Sequence, residues 1–501
     1  MEELSLLAGG FVTALQGYNL FNCILGVTIG MFVGILPGIG PVAGTAILIP
    51  ITFGMDTVTA IIMLAGIFYG AMYGGTITSV LINTPGESAS VITCIDGYQM
   101  AKQGRAGVAL GVSAIGSFIG GIVAILLLTF LGPSIARVAL SFGPPEFFAL
   151  MLFGLLLIVG LMGKSILKGL IAAIIGLLLS LIGMDPASGA IRFTFGEVHL
   201  LGGLDFVVLA MGLFGISEIL MNASDNMTLQ TPEKIGGLFP ERHEWKATLA
   251  AIARGTGIGT IIGLIPGASA SVSSLVSYSF EKKIADDPSR FGKGAIEGVA
   301  GPETANNAYS GAALIPLFTL GIPSSPTVAV IFGAFIMHGL TPGPALYQKN
   351  PDFIWAVIAS MFIGNVVLLI LNLPLARIWA KVALIPYKSL YPLILIISAL
   401  GIYSVNGSTW DISIMVLFGV IGFLMKKLEI PSAAMVLSFI LGERVEFAFM
   451  QSLAASENGL WIFVQRPISG TLIALCALIL FFGIVSAVKN KRDMLADDAE
   501  M

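Results

Sequence analysis

Residues 26–38 read GVTIGMFVGILPG, and residues 255–267 read GTGIGTIIGLIPG. Gly26, Gly30, Gly34, Pro37 and Gly38 fall on Gly255, Gly259, Gly263, Pro266 and Gly267, each 229 positions further on. Glycine makes up 61 of 501 residues, too few for five such matches at one offset to be coincidence, so the chain carries an internal repeat. Any fold must therefore build one motif twice. In that motif an apolar helix carries glycines four apart, which leave one face smooth enough for another backbone to approach closely. It ends at Pro-Gly, where proline removes a donor and glycine permits unusual dihedrals.

The correspondence continues. LINTPGES (81–88) lies against TLGIPSSP (319–326), pairing Pro85 with Pro323; FIGG (118–121) lies against FIGN (362–365), and ARVAL (136–140) against AKVAL (380–384). The offset grows from 229 to 238 to 244, as small loop insertions would produce. The chain divides into a first half over 1–222, a polar connector over 223–245 and a second half over 246–501. The 281–294 loop carries Lys282, Lys283, Arg290 and Lys293, which place it in the cytoplasm. Its counterpart near 52–57 has no base and one acid, Asp56. Equivalent loops on opposite sides imply inverted repeats.

Composition sets the solvent. The chain is 56% hydrophobic and 11% charged, where soluble domains run about 45–50% and about 25%. A soluble protein with so few charges could not cover its surface. Apolar stretches of roughly 17–25 residues recur, long enough to cross a bilayer as helices, and with the Pro/Gly-interrupted ones they predict about 12 crossings. The alternation of an outer-membrane barrel is absent. The expected fold is an all-α polytopic membrane protein of two repeats with broken helices or re-entrant hairpins. The N-terminal MEELSLLAGGFVTALQ is acidic where a signal peptide would be basic. It reads as a retained interfacial helix. Lys489, Lys491 and Arg492 after the last apolar span predict a cytoplasmic tail. A net charge of -4 argues against nucleic acid, and the three cysteines form neither a metal pattern nor a disulfide framework.

Four breaks carry the chemistry. Thr84 and Glu87 have the spacing of a capping box, with Pro85 at the first helical position. In GIPSSPT, Ser324 or Ser325 can cap a helix that Pro326 begins. Backbone freed inside a membrane survives only if buried in protein or lining a wet cavity. Helix N-termini attract anions, and freed carbonyls with Ser, Thr and Asn oxygens suit Na⁺. Candidate substrate- or ion-binding residues are therefore Pro37, Gly38 and Gly40; Asn83, Thr84, Pro85 and Gly86; Pro266, Gly267 and Ser269; and Gly321, Pro323 and Ser324. GPETANNAYSG (301–311) adds Asn306 and Asn307, beside Glu303. Asp96 and Glu297 are weaker candidates. The structural alternative is that the glycine ladders serve packing alone and Glu87 serves its own helix end.

Several chemistries are excluded. GLMGKS (160–165) lacks the glycine that a phosphate loop needs at 158, which is Ile158. No His-Glu-x-x-His, Gly-x-Ser-x-Gly or TVGYG motif occurs. His199, His243 and His338 are isolated. Neither an enzyme nor a bound cofactor is expected.

GMFVGILPGIGP, YGGTITSVLINTPGESAS, GLIPGASAS and EGVAGPETANNAYSGAALIPLFTLGIPSSPT together resemble the large membrane subunit of the tripartite tricarboxylate transporters, the TctA family. The resemblance covers essentially the whole chain. It implies a multi-pass subunit of the bacterial inner membrane that imports carboxylates. It also implies a periplasmic solute-binding protein and a small membrane subunit of about four helices as partners, driven by an ion gradient rather than ATP. Na⁺ is the expected coupling ion, with H⁺ the alternative, because the breaks offer few titratable groups beyond Glu87 and Glu303. Tyr309 and Ser310 stand where smaller residues are expected, so citrate is not assumed as the substrate. A stand-alone anion symporter, a membrane-embedded enzyme and a channel are the competing readings.

Overall fold

The computed structural model describes residues 2–36, 38–162, 165–185, 188–223, 235–382 and 391–499. Pro37 and residues 224–234 of the connector lie outside the described residues. Among the described residues the regular structure is helical, apart from an antiparallel pair of two-residue strands, Gly183–Met184 (β1) with Ile191–Arg192 (β2).

The first half begins with α1 (Glu2–Ala14), α2 (Gly17–Ile35), α3 (Gly40–Leu48), α4 (Thr57–Ile82), α5 (Val91–Lys102) and α6 (Ala106–Ala139). It continues through α7 (Pro144–Met162) and α8 (Ile166–Ser180) to α9 (Phe206–Ala210), a π-helical turn at Met211–Ile216, and α10 (Ser217–Ala223). The second half opens with α11 (Trp245–Gly263), α12 (Ala270–Ile284), α13 (Glu297–Ala312), α14 (Leu314–Leu320), α15 (Pro326–Met337), α16 (Pro344–Lys349) and α17 (Pro351–Asn372). It ends with α18 (Ala376–Val382), α19 (Tyr391–Asn406), α20 (Thr409–Lys427), α21 (Ser432–Ala454), α22 (Ile462–Gln465) and α23 (Pro467–Ala499).

The glycine ladders are seams. A Cβ on Gly26, Gly30 or Gly34 of α2 would collide with the backbone carbonyl of Met63, Ile67 or Ala71 on α4. On α11, a Cβ at Gly255, Gly259 or Gly263 would collide with the backbone of Gly301, Ala305 or Tyr309 on α13. Those partners correspond at one offset, 238. Only glycine lets these backbones meet, and such close contact substitutes for the hydrophobic drive that lipid cannot supply.

The breaks also correspond. Gly38 and Gly267 both have positive φ, 95° and 85°. Asn83 ends α4 and Gly321 ends α14 in the left-handed region, at φ 53° and 70°. Pro85 and Pro323 follow two residues later. The Thr84–Glu87 capping box does not form. Thr84 lies just past the end of α4, its hydroxyl donates to the Ile82 carbonyl (3.2 Å), and Glu87 accepts from the Ala89 N–H instead. A capping box needs its helix to begin at once, whereas α5 begins only at Val91.

Among the described residues, six helices are long and apolar enough to cross a membrane: α2, α4, α6, α7, α17 and α20. A seventh candidate is the pair over Gly459–Gln465 and Pro467–Phe482, bent by 93°. Other apolar stretches are shorter helices: Ile166–Ser180 has 15 residues, and 206–223 is split by the π-helical turn. Hydropathy counts apolar residues without sensing where the backbone turns, so it counts more crossings than there are full-length helices. Large apolar side chains on the outside, such as Leu400, Leu417 and Phe481, give the bundle the surface that lipid requires. α4 is the opposite case, with every residue from Thr59 to Ile82 buried at the centre.

Candidate functional site

All four breaks meet at one cavity of about 650 Å³. Gly38 and Gly40 line it from the first break, Pro85, Gly86, Glu87 and Ser88 from the second, Ser269 and Ser271 from the third, and Ser325 and Thr327 from the fourth. The breaks are knitted together. Ser271 donates to or accepts from Ser88 (Oγ–Oγ 2.9 Å), the Gly267 N–H donates to the Ser324 carbonyl (2.9 Å), and Asn222 Nδ2 donates to the Gly38 carbonyl (3.3 Å).

Five helices begin at the cavity wall: α3 at Gly40, α5 at Val91, α12 at Ala270, α15 at Pro326 and α21 at Ser432. Ser269 and Ser325 cap two of them, their hydroxyls accepting from the Val272 and Val328 N–H groups, both at 3.3 Å. The first N–H groups of a helix have no partner within it, and the end carries partial positive charge. Helix ends of this polarity favour an anion in the space they border. Lys426 lines it too, with Nζ bonded to Glu218, which also accepts from Asn222 Nδ2 (3.1 Å).

Some sequence candidates stand back from this space. Asn83 is exposed beyond the end of α4, and Thr84 is occupied by its backbone bond. Gly267 packs on Ile158. Pro266, Gly321 and Pro323 shape the turns without lining the cavity, and Ser324 Oγ donates to the Ala313 carbonyl (2.8 Å). Asn306 and Asn307 lie behind the wall on α13. Asn306 Nδ2 donates to Glu87 Oε1 (3.2 Å), while Asn307 Nδ2 donates to Ser117 Oγ (2.7 Å) and to the Glu303 carbonyl (3.1 Å). Asp96 serves structure, accepting from the N–H groups of Gly292, Gly294 and Ala295 and from the Tyr278 hydroxyl.

Sequence reasoning missed Glu218, Lys426, Ser432 and the cavity-facing role of Tyr309. Lys426 and Glu218 come from segments 208 positions apart, which no local motif connects. Tyr309 reaches the Ala268 carbonyl (2.7 Å) and so ties α13 to the third break. Among the described residues no group of three or more His, Cys, Asp or Glu could hold a metal ion.

A second cavity, of about 490 Å³, lies at the other end of the same helices. α15 contributes Pro326 and Thr327 to the first and Gly333 and Met337 to the second. α21 contributes Ser432 to the first and Phe439 and Arg444 to the second; the 206–218 segment likewise gives Phe214 and Glu218, then Phe206. Leu209, Met211, Val328, Phe332, Val436 and Leu437 of these same segments are fully buried.

The family model of the tripartite tricarboxylate transporter TctA family matches residues 20–437. An uncharacterized 52.8 kDa protein of the TAR-I ttuC' 3' region of Agrobacterium vitis is 45% identical over 494 residues, 98% of each chain. An uncharacterized protein of the TAR-II ttuC' 3' region of the same organism is 40% identical over 237 residues, which is 47% of this chain and 98% of the relative. No solved structure matches.

Proposed function

The chain belongs to the tripartite tricarboxylate transporter TctA family, and on that premise we propose that it is the carboxylate-conducting subunit of an ion-coupled importer. The observation that carries this reading is the convergence of five helix N-termini and Lys426 on one cavity to which all four breaks contribute. A carboxylate entering a membrane domain loses its water, and its charge must be met by fixed donors. Oriented backbone N–H groups meet it without bringing a second full charge into the protein. Lys426, held by Glu218, adds a base that faces the cavity.

The two halves act as repeats of inverted orientation, each giving a glycine-seamed helix and two breaks to the site between them. This is the arrangement in which one set of breaks opens inward while its mate opens outward. The driving ion is Na⁺. The membrane is the bacterial inner membrane, and the partners are a periplasmic solute-binding protein that delivers the carboxylate and a small membrane subunit. A stand-alone symporter would share the cavity but dispense with delivery.

The test is uptake of a panel of labelled di- and tricarboxylates into vesicles holding the three subunits. It is driven first by a sodium gradient at fixed pH and then by a pH gradient without sodium. We expect uptake under the first condition, falling at low substrate when the binding protein is left out. Full uptake without the binding protein would favour the stand-alone symporter, and uptake of no carboxylate would overturn the reading.

A further inference from the structure

One carboxylate in the cavity wall, Glu87, and a second behind it, Glu303, are buried without a basic partner among the described residues. Glu87 is 6% exposed and Glu303 1%. The ion pairs among the described residues include neither. Glu303 accepts from the hydroxyls of Thr76 (2.6 Å) and Thr93, and Ser113 Oγ bonds Thr76 Oγ1 in turn (3.4 Å). Glu87 accepts from the Ala89 N–H (2.6 Å) and from Asn306 Nδ2 (3.2 Å). Neighbouring residues of α4 meet both: a Cβ on Gly75 would lie 2.8 Å from Glu87 Cγ, and the next residue, Thr76, donates to Glu303.

Asn306 supplies the second observation. It is wholly buried, and its Oδ1 has no hydrogen-bond partner. That oxygen belongs to the carboxamide whose nitrogen rests on Glu87, and Asn306 sits one helical turn beyond Glu303 on α13. Two carboxyl groups and an unfilled acceptor oxygen therefore share one buried spot. Buried polar groups are normally satisfied, so each exception needs an occupant or a reason. A proton on one carboxylate would remove one charge and make one hydrogen bond. A small hard cation, which takes several oxygen ligands at once, meets the carboxylates and the orphaned carbonyl together.

We propose that a sodium ion binds among Glu87, Asn306 and Glu303, and that it is the coupling ion of the transport cycle. This rests on the ion-coupled carboxylate reading above. Glu87 is the member that also lines the cavity, so the cation sits against the wall from which the anion is bound. Each then offsets the other's charge, and the affinity of each rises in the presence of the other by the same factor. α13 carries Glu303 and Asn306 on the helix against which the second glycine ladder packs, so movement at that seam would be felt at the ion.

The experiment is thermal unfolding of the purified full chain in detergent at fixed pH, with Na⁺ exchanged for K⁺ at constant ionic strength. Wild-type protein should gain a saturable rise in Tm with Na⁺ alone. Glu303→Gln, Glu87→Gln and Asn306→Ala should each move the sodium midpoint at least tenfold or abolish the rise. Asn306→Ala guards against a folding artefact, because it removes the orphaned oxygen and only one hydrogen bond. A wild-type rise with unchanged midpoints in all three variants would overturn the site while leaving sodium coupling standing. A wild-type Tm that ignores Na⁺ but responds to pH would overturn the sodium assignment. A sodium rise lost in the variants, beside a transporter that moves no carboxylate, would uphold the site and sink the transport reading instead.

Discussion

Gly34 and Gly263 have no room for even one methyl group, because the position a Cβ would take is filled by Ala71 and by Tyr309 with Ala312. Gly34→Ala and Gly263→Ala should therefore destabilise the chain by about 1–3 kcal/mol, the usual cost of overpacking. The leucine variants should fail to assemble. Gly257 on α11 faces open space, so Gly257→Ala should cost nothing and can gain helix propensity. Thermal unfolding of the three alanine variants separates packing from propensity; equal behaviour of Gly257→Ala and Gly263→Ala would remove the seam's role. The spacing of these glycines was legible in the sequence, but the backbone each one touches was not. Lys426 marks the limit of such reading, since only folding brings it to Glu218 and the cavity. Lys426→Gln should raise the KM for carboxylate uptake about tenfold, the effect of removing one charge worth roughly 1.4 kcal/mol at the site. Glu218→Gln frees the ammonium and should lower KM; kinetics unchanged in both would place the anion elsewhere.

The elements end where backbone conformation, more than apolar content, dictates. Asn83 and Gly321 both terminate helices in the left-handed region, and the chain then runs free until α5 and α15 begin. Ser325, one of the two caps the sequence offered at the fourth break, does cap because a helix follows it directly, and Ser269 caps α12 in the same way. Thr84 carried the same kind of signal but lies after a helix, so the pattern had nothing to cap. α5 is held at its middle by Asp96, whose Oδ1 takes three N–H groups of the 292–295 turn while Oδ2 takes the Tyr278 hydroxyl (2.8 Å). This clasp joins an element of the first half to a loop of the second. Asp96→Ala should strip four hydrogen bonds from a buried carboxylate and cost about 3 kcal/mol or more, given about 1.5–3 for each bond to a charged group and partial recovery by water. Asp96→Asn, which keeps the shape and an acceptor, should cost less. Chemical denaturation reports both, and an Asp96→Ala chain as stable as wild type would mean that the clasp holds nothing.

At the scale of the whole molecule, two cavities stand at opposite ends of α15 and α21. Ser432 and Arg444 lie on α21 about 18 Å apart by helical rise, one at each cavity, and Val436 and Leu437 between them are fully buried. The 206–218 segment, which also reaches both cavities, includes the π-helical turn at Met211–Ile216, a geometry that recurs at functional sites. None of this was legible from hydropathy, which reads 204–221 as one continuous span. The repeat, by contrast, was visible from the glycine and proline offsets because packing and chain reversal tolerate so few residue types. If the two cavities are the two mouths of one carrier, they should open to opposite sides of the membrane and never together. In a chain whose Cys23, Cys94 and Cys476 are replaced by serine, Ser432→Cys and Met337→Cys should be modified by a membrane-impermeant thiol reagent from opposite faces. Carboxylate and Na⁺ together should change the two rates in opposite directions, because a ligand shifts a two-state equilibrium only by favouring one state over the other. Modification of both positions from one face would break the route, and rates that rise together would describe a channel rather than a carrier.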